Sequence, residues 1–150
     1  HDCRSLFDVE LDLDSVRSCL RRTVARTPDP VVVRLTVCDP RLALAHPGMQ
    51  AAPRLLVTTR PAPPPTLPPL HVQARRYVRE EPEIKHVGLY GTIRQKRIAQ
   101  REGFDDALLV GGDGRVLEGT TWNIGFFDGA KVVWPYGAIL DGVRELVTKI

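Results

Sequence analysis

The side chains that most often catalyse reactions on their own are few and poorly placed in this sequence. Its three serines (Ser5, Ser15 and Ser18) all lie in the first segment, and none is part of a GxSxG motif, which argues against a serine hydrolase. The four histidines lack metal-ligand spacing, and no HExxH motif occurs. The glycine-rich residues 111–114 connect two predicted strands, so they indicate a hairpin turn rather than a phosphate-binding loop. Few options therefore remain for catalysis by side chains alone.

The second half of the chain contains four segments whose order and spacing are more informative. They carry a lysine before a predicted helix, a tyrosine five residues later, and then a glutamate, an asparagine and a glycine: residues 83–92, 103–109, 113–126 and 140–143. This arrangement resembles the class IV aminotransferases, the fold-type IV enzymes that use pyridoxal 5'-phosphate. That family includes branched-chain aminotransferases, D-amino acid aminotransferases and aminodeoxychorismate lyases. The resemblance covers roughly residues 60–143.

The resemblance implies a role for three side chains. Lys85 is the lysine that forms a Schiff base with the cofactor aldehyde, is displaced by the substrate amine and then moves a proton. Tyr90 lies where aminotransferases of the family place a tyrosine that hydrogen-bonds the phenolic oxygen of the cofactor. Glu118 matches the glutamate that keeps the pyridine nitrogen protonated, so that the ring can accept electrons from the substrate.

Three further positions match the family. Asn123 is expected to fix a loop, and the backbone N–H groups of Gly142 and Val143 are expected to bind the cofactor phosphate at a helix start. The family usually has proline and threonine where this chain has Asp141 and Arg144. The hydroxyl ligand of the phosphate is therefore missing, and Arg144 is the charged donor available in its place.

Each of these residues also has a simpler explanation when it is considered alone. A single lysine is usually an exposed solubilising charge, and Tyr90 has the position of an aromatic side chain packed from a helix face. Glu118 could be a polar residue after a strand, and Gly142 could begin an ordinary helix. The order of the segments favours the catalytic explanation.

The first part of the chain is predicted to contain a helix and two strands. Asp14 is a plausible N-cap for a helix over residues 15–26, which prolines at 28 and 30 would end. The β-branched run Val31–Cys38 and the segment Arg54–Thr59 predict strands, with a loop between them.

The second part of the chain is predicted to alternate strands, one helix and hairpins. Gly103 is a suitable C′ residue for a helix over residues 87–102. The Asp128-Gly129 pair indicates a tight hairpin turn. The remaining expected elements are strands at 71–78, 107–110, 115–117, 123–127 and 131–134 and a helix after residue 142.

Six prolines between residues 61 and 69 predict an extended, stiff spacer, because proline lacks the N–H donor and fixes φ. A proline-rich ligand for another protein is the alternative. With the resemblance, the spacer implies a mixed α/β (α+β), two-lobed fold in which both domains are incomplete. Residues 1–59 are then the end of a small α/β domain, residues 60–70 the linker, and residues 71–150 the start of a larger, β-rich, cofactor-binding domain.

The composition of the chain limits the kinds of molecule that the protein is expected to bind. The 150 residues are 43% hydrophobic and 26% charged, as in ordinary soluble domains, and no apolar run could span a membrane. Three cysteines without a CxxC pair predict neither a disulfide framework nor a metal site, which suits a cytoplasmic protein. Residues 71–101 hold eight Lys or Arg against three Glu, a surplus that could face a phosphate, a carboxylate or water. Without a recognised motif, a nucleic-acid partner is not expected.

These observations predict an enzyme that moves an amino group from an amino acid to a 2-oxo acid. The resemblance implies that this enzyme is a homodimer. Two alternatives stay open. One is an aminodeoxychorismate lyase on the same fold, since lyases of the family share a Lys-His pair such as Lys85-His86. The other is a non-catalytic remnant of the fold, suggested by Asp141 and Arg144 and by flanking segments that are expected to lie outside this chain.

Overall fold

Residues 2–27, 29–64 and 68–140 are described by the computed structural model of the protein. The chain divides into two compact units, His1–Leu67 and Pro68–Ile150. Among the described residues, the first unit contains two helices and an antiparallel strand pair, and the second contains a mixed sheet, a helix and a short hairpin. The mixed α/β character expected from the sequence is confirmed.

The first unit is built on one long β-hairpin. Its elements are helices α1 (Asp2–Phe7) and α2 (Leu13–Val24) and strands β1 (Val31–Cys38) and β2 (Arg54–Pro61). The strands pair antiparallel, with Val31 opposite Pro61 and Cys38 opposite Arg54. Strand β1 has the predicted bounds, whereas β2 continues past Thr59 to Pro61, because a terminal proline needs no N–H in the ladder.

Helix α2 begins earlier than its sequence predicts. Asp12, not Asp14, is the N-cap: its carboxylate accepts hydrogen bonds from the N–H of Asp14 at 3.0 Å and from the hydroxyl of Ser15 at 2.6 Å. Both aspartates are acceptable caps by type, but Asp14 already lies inside the helix, where its carboxylate accepts from the side chain of Arg17. The prediction of Asp14 as N-cap is therefore wrong.

The loop between β1 and β2 is closed by one buried carboxylate. Asp39 forms an ion pair with Arg41 at 3.0 Å and accepts hydrogen bonds from the backbone N–H groups of Arg41 and Ala52. The hydrogen bonds from Arg41 and Ala52 hold the pKa of Asp39 well below its usual range. A lowered pKa means that this stabilisation is complete above the ordinary value near 3.8 and is lost as the pH falls below it.

We predict that Asp39→Asn lowers the thermal midpoint of unfolding at pH 7, because the amide cannot form the charge-assisted bonds. The difference from the wild type should shrink as the pH falls below about 4, because the unfolded wild-type chain then binds a proton that the folded carboxylate does not yet bind. Thermal unfolding followed by circular dichroism between pH 3 and pH 7 measures both effects. The exposed Asp29 provides the matched control variant, Asp29→Asn, and an equal loss in both variants would contradict the assignment.

The second unit begins with a parallel strand pair connected by a helix. Its elements are β3 (Val72–Arg76), α3 (Tyr90–Arg101), β4 (Asp106–Val110), β5 (Val116–Gly119), β6 (Phe126–Phe127) and β7 (Val132–Val133). Strand β4 is central: it pairs parallel with β3 and antiparallel with β5. The parallel pairing requires a crossover, which α3 supplies. Strands β6 and β7 form a separate short hairpin around the predicted Asp128-Gly129 turn.

The apolar core of this unit is small. Ala99 of α3 packs with Ala107 and Leu109 of β4, and Tyr77 and Phe104 contact this cluster from its edge. Small side chains on the facing surfaces allow the helix to approach the strand closely. Polar contacts must therefore contribute much of what orders the surrounding segments.

Helix α3 starts at Tyr90 rather than at Val87. The N–H of Gly88 donates to Nδ1 of His86 at 3.1 Å, and the N–H of Leu89 donates to the carbonyl of Val87 at 2.9 Å. These N–H groups find acceptors outside the helix, so the helical hydrogen bonds begin about one turn later than predicted. The sequence predicts a start at Val87, because no proline interrupts the segment. The helix ends as predicted, with Gly103 in the left-handed region at φ 88°.

Among the described residues, no helix combines the length and the apolar character needed to cross a membrane. The same part of the chain contains no group of three or more His, Cys, Asp or Glu side chains arranged to hold a metal ion. Cys3, Cys19 and Cys38 are free thiols.

Candidate functional site

Glu118 is a buried carboxylate at the end of β5. It is 6% exposed, its Oε1 lies 3.7 Å from Nη1 of Arg79, and its Oε2 accepts a hydrogen bond from the N–H of Leu140 at 3.3 Å. Burial raises the pKa of Glu118, while the Leu140 N–H and the charges of Arg79 and Lys85 lower it without fully offsetting burial. The structure thus keeps an acidic group in a place where its charge is incompletely compensated.

Arg79 connects this carboxylate to the segment that carries Lys85. Its Nη2 donates to the carbonyl of Pro82 at 3.2 Å and to the carbonyl of Ile84 at 2.8 Å, while Nη1 faces Glu118. Its Nε is buried and has no hydrogen-bond partner among the residues that the structure describes. In the sequence, Arg79 is distinguished only as one of the basic residues between positions 71 and 101. The need of a buried glutamate for a cation was the signal that could have singled it out.

A tight turn over residues 81–84 immediately precedes Lys85 and fixes the backbone from which its side chain projects. The N–H of Ile84 donates to the carbonyl of Glu81 at 3.0 Å, and Glu81 has a φ of 43°, in the left-handed region that non-glycine residues seldom occupy. Ile84 is buried, whereas Lys85 is exposed. Such backbone strain persists only where surrounding contacts hold it, and here Arg79 binds two carbonyls of the turn.

Tyr90 is the first residue of α3 and is 82% exposed. Its ring borders an open depression of about 490 Å³ that Arg79 and His86 also line. Tyr77 lines the same depression and lies directly against α3, because Gly91 has no side chain: a Cβ there would lie 1.7 Å from the Tyr77 hydroxyl. Two tyrosines therefore border the depression, Tyr90 from the start of α3 and Tyr77 from the segment after β3.

Asn123 and Glu118 bind the same residue from opposite ends. Nδ2 of Asn123 donates to the carbonyl of Leu140 at 2.7 Å, and Glu118 accepts the N–H of that residue. Both polar backbone groups of Leu140 are therefore held by side chains that the sequence analysis had singled out. The predicted phosphate-binding residues Gly142 and Val143 lie outside the described residues.

Three of the predicted residues consequently meet around Arg79 and Leu140: Lys85, Glu118 and Asn123. Tyr90 lies on the depression that Arg79 shares. The arrangement offers an exposed amine, an exposed phenol and a buried acid from three separate segments. Lys85, Glu118 and Asn123 are not among the residues that line this depression, so the structure groups Tyr90 with Arg79 and His86 rather than with those three.

We predict that the unfolding free energy of the protein falls as the pH rises from the ordinary glutamate value of 4.5 through the raised pKa of Glu118. The sign follows from the folded state, which binds the proton more tightly than the unfolded chain. Glu118→Gln has no such proton and should lack this decline, so its thermal midpoint relative to wild type should increase from pH 4 to pH 8. The exposed Glu83 provides the control, Glu83→Gln. Parallel curves for wild type and Glu118→Gln would contradict the prediction.

Comparison with known proteins supports the resemblance. The family model described as amino-transferase class IV matches residues 1–148. An aminotransferase from Brucella abortus, solved with bound PLP, superposes with a TM-score of 0.78 at 22% identity over 94% of this chain and 55% of its own. A hypothetical aminotransferase from Mycobacterium tuberculosis in a PLP-bound form gives 0.74 at 22% identity, covering 95% of this chain and 56% of that one.

A branched-chain amino acid aminotransferase from Thermobaculum terrenum superposes with a TM-score of 0.75 at 20% identity, over 93% of this chain and 50% of its own. The chain thus spans about half the length of the solved structures that it matches. No curated protein matches it significantly. The solved structures share its fold, and the family model covers nearly all of its length. The chain therefore belongs to the class IV aminotransferase family.

Proposed function

We propose that the protein is a PLP-dependent aminotransferase that moves an amino group from an amino acid to a 2-oxo acid, with Lys85 holding the cofactor as a Schiff base. Membership of the family supports the reaction class. The buried, incompletely compensated carboxylate of Glu118 is the single observation that carries the assignment to this site. When bound, PLP supplies an electron sink for the charge released at the α-carbon of the substrate.

The chemistry of the side chains fits this cofactor. An amine, a phenol and a carboxylate correspond to its aldehyde, its phenolic oxygen and its pyridine nitrogen. The pKa of Glu118 stays raised although Arg79 and Lys85 are near, so a further N–H donor or positive charge would stabilise the ionised carboxylate. A protonated pyridine nitrogen is such a donor, and by linkage the carboxylate would help to keep it protonated.

The remaining residues position this set. Arg79 holds the turn before Lys85 and faces Glu118, so it links the backbone next to Lys85 to the acid. Lys85, exposed after that turn, would move a proton at its Nζ once released by the substrate amine. Tyr90 would donate its hydroxyl to the phenolic oxygen. Asn123 and Glu118 hold Leu140, two residues before Gly142, whose N–H and that of Val143 we propose for the phosphate.

We further propose that the enzyme is a homodimer, as the resemblance implies, and that it is cytoplasmic, as the cysteine usage suggests. Residues 1–59 would belong to its small domain, 60–70 to the linker and 71–150 to the cofactor-binding domain. Phe127 is 71% exposed and Tyr136 is 84% exposed, which suits a surface that further protein covers in the complete enzyme.

We predict that Lys85→Ala abolishes covalent incorporation of PLP, since no other group of the set can form the link to the aldehyde. The natural protein is incubated with PLP, reduced with borohydride, digested and analysed by mass spectrometry for a modified lysine. Lys131→Ala, which removes an exposed lysine of the β6–β7 hairpin, should retain full incorporation at Lys85. Modification of a different lysine in the wild type, or an unchanged yield in Lys85→Ala, would contradict the site.

We predict that turnover requires an amino acceptor. Incubation with an amino acid and a 2-oxo acid should yield the exchanged amino and oxo acids in equal amounts, measured by chromatography. The lyase alternative makes the opposite prediction: pyruvate and 4-aminobenzoate form from aminodeoxychorismate without an acceptor. A folded protein that retains no PLP and shows neither reaction would be the non-catalytic remnant.

A further inference from the structure

A second buried carboxylate lies close to the site but contacts none of its reacting groups. Asp106, the first residue of β4, is 2% exposed. Its Oδ2 accepts hydrogen bonds from Nζ of Lys96 at 2.7 Å and from Nε1 of Trp122 at 3.1 Å. Its Oδ1 accepts from the hydroxyl of Thr120 at 2.6 Å and from the N–H of Ala107 at 2.8 Å.

These donors come from helix α3, from β4 itself and from the segment after β5. Burial by itself would raise the pKa of Asp106, but the hydrogen bonds from Lys96, Thr120, Trp122 and the Ala107 backbone outweigh it and lower the pKa. The carboxylate is therefore ionised at neutral pH, with both oxygens occupied. Because both oxygens of Asp106 accept hydrogen bonds, the carboxylate holds together the segments that supply the donors.

The donors after β5 belong to one tight turn. The N–H of Gly119 donates to the carbonyl of Trp122 at 2.8 Å, which closes the turn. The indole ring of Trp122 lies over Gly119 so closely that a Cβ there would lie 2.1 Å from Cε2. Asp106 binds the side chains of Thr120 and Trp122, so it fixes both the backbone and the ring of this turn.

Glu118 and Asn123 flank this turn on its two sides. Fixing residues 119–122 sets where Glu118 leaves the sheet and where Asn123 reaches the Leu140 carbonyl. We propose that Asp106 is a positioning residue of the site, which acts through Thr120 and Trp122 to hold Glu118 and Asn123 in their binding geometry. This inference rests on the proposed function of those two residues.

A purely structural role for Asp106 makes a different prediction. Its ion pair with Lys96 attaches α3 to β4, and losing that contact would reduce stability without acting on the turn specifically. Thr120→Val separates the two roles, because valine has nearly the shape of threonine and leaves the Lys96 contact in place. Asp106→Asn removes the charge from both contacts.

The matched control is the neighbouring residue. Asp105 is exposed, and its Oδ2 accepts the backbone N–H of His71 at 2.7 Å, at the start of β3. Asp105→Ala therefore removes a carboxylate hydrogen bond from the same unit without touching residues 119–122. The variants are made in the full natural chain and compared by two measurements. The first is hydrogen exchange of the Gly119 and Leu140 amides without cofactor, and the second is PLP affinity by titration of absorbance.

We expect Thr120→Val and Asp106→Asn to exchange these two amides about tenfold faster, as for the loss of one buried hydrogen bond. PLP affinity should fall by roughly 10-fold, near the lower end of what outer partners of metal ligands contribute. Asp105→Ala should change neither quantity. Exchange or affinity in Thr120→Val equal to that in Asp105→Ala would overturn the inference.

The two proposals fail in distinguishable ways. A wild-type protein that binds no PLP would overturn the proposed function, and the exchange measurement alone would then decide whether Asp106 holds the turn. A wild-type protein that binds PLP at Lys85, with an affinity that Thr120→Val and Asp106→Asn leave unchanged, would overturn only the positioning role.

Discussion

Two carboxylates buried on adjacent strands are the constraint on which the second unit depends. Asp106 begins β4 and Glu118 lies in β5, and the buried apolar cluster beside them is formed by Ala99, Ala107 and Leu109. A buried charge without partners would cost several kcal/mol, so each carboxylate must bring donors to itself. Asp106 draws on α3 and on the turn after β5, and Glu118 draws on Arg79 and Leu140. These requirements fix the positions of segments that apolar packing alone would leave loosely held.

The opposite pKa shifts of the two acids separate their roles. Hydrogen bonds lower the pKa of Asp106 despite its burial, whereas burial raises the pKa of Glu118 despite the nearby cations. A buried carboxylate whose oxygens are all hydrogen-bonded is suited to a structural role. A buried carboxylate with incomplete partners can still accept a hydrogen bond or a positive charge from a ligand. Neighbouring carboxylates whose environments move their pKa values apart are a recurring sign of divided functions. The contrast gives a physical reason to assign ligand binding to Glu118 and positioning to Asp106.

The sequence predicted the elements well and their polar connections poorly. A β-branched run located β1, a short apolar run located β4 and Gly103 marked the end of α3, because these signals are local, whereas α1 was not predicted. The starts of α2 and α3 were misplaced, since they depend on which donors neighbouring groups satisfy. The family resemblance supplied Lys85, Glu118 and Asn123. It did not reveal Arg79 or Asp106, whose partners lie on other segments and leave no local pattern.

The contacts of Leu140 have a consequence for how this site can vary between homologues. Glu118 and Asn123 bind the main chain of Leu140, and main-chain groups are present whatever side chain the residue carries. Position 140 is therefore able to drift in sequence while the contact itself is inherited. In an alignment of homologues, this contact would be visible only at positions 118 and 123, which supply the side chains, and not at position 140. Such one-sided contacts help to explain how a fold can persist at about 20% identity while its internal connections are maintained.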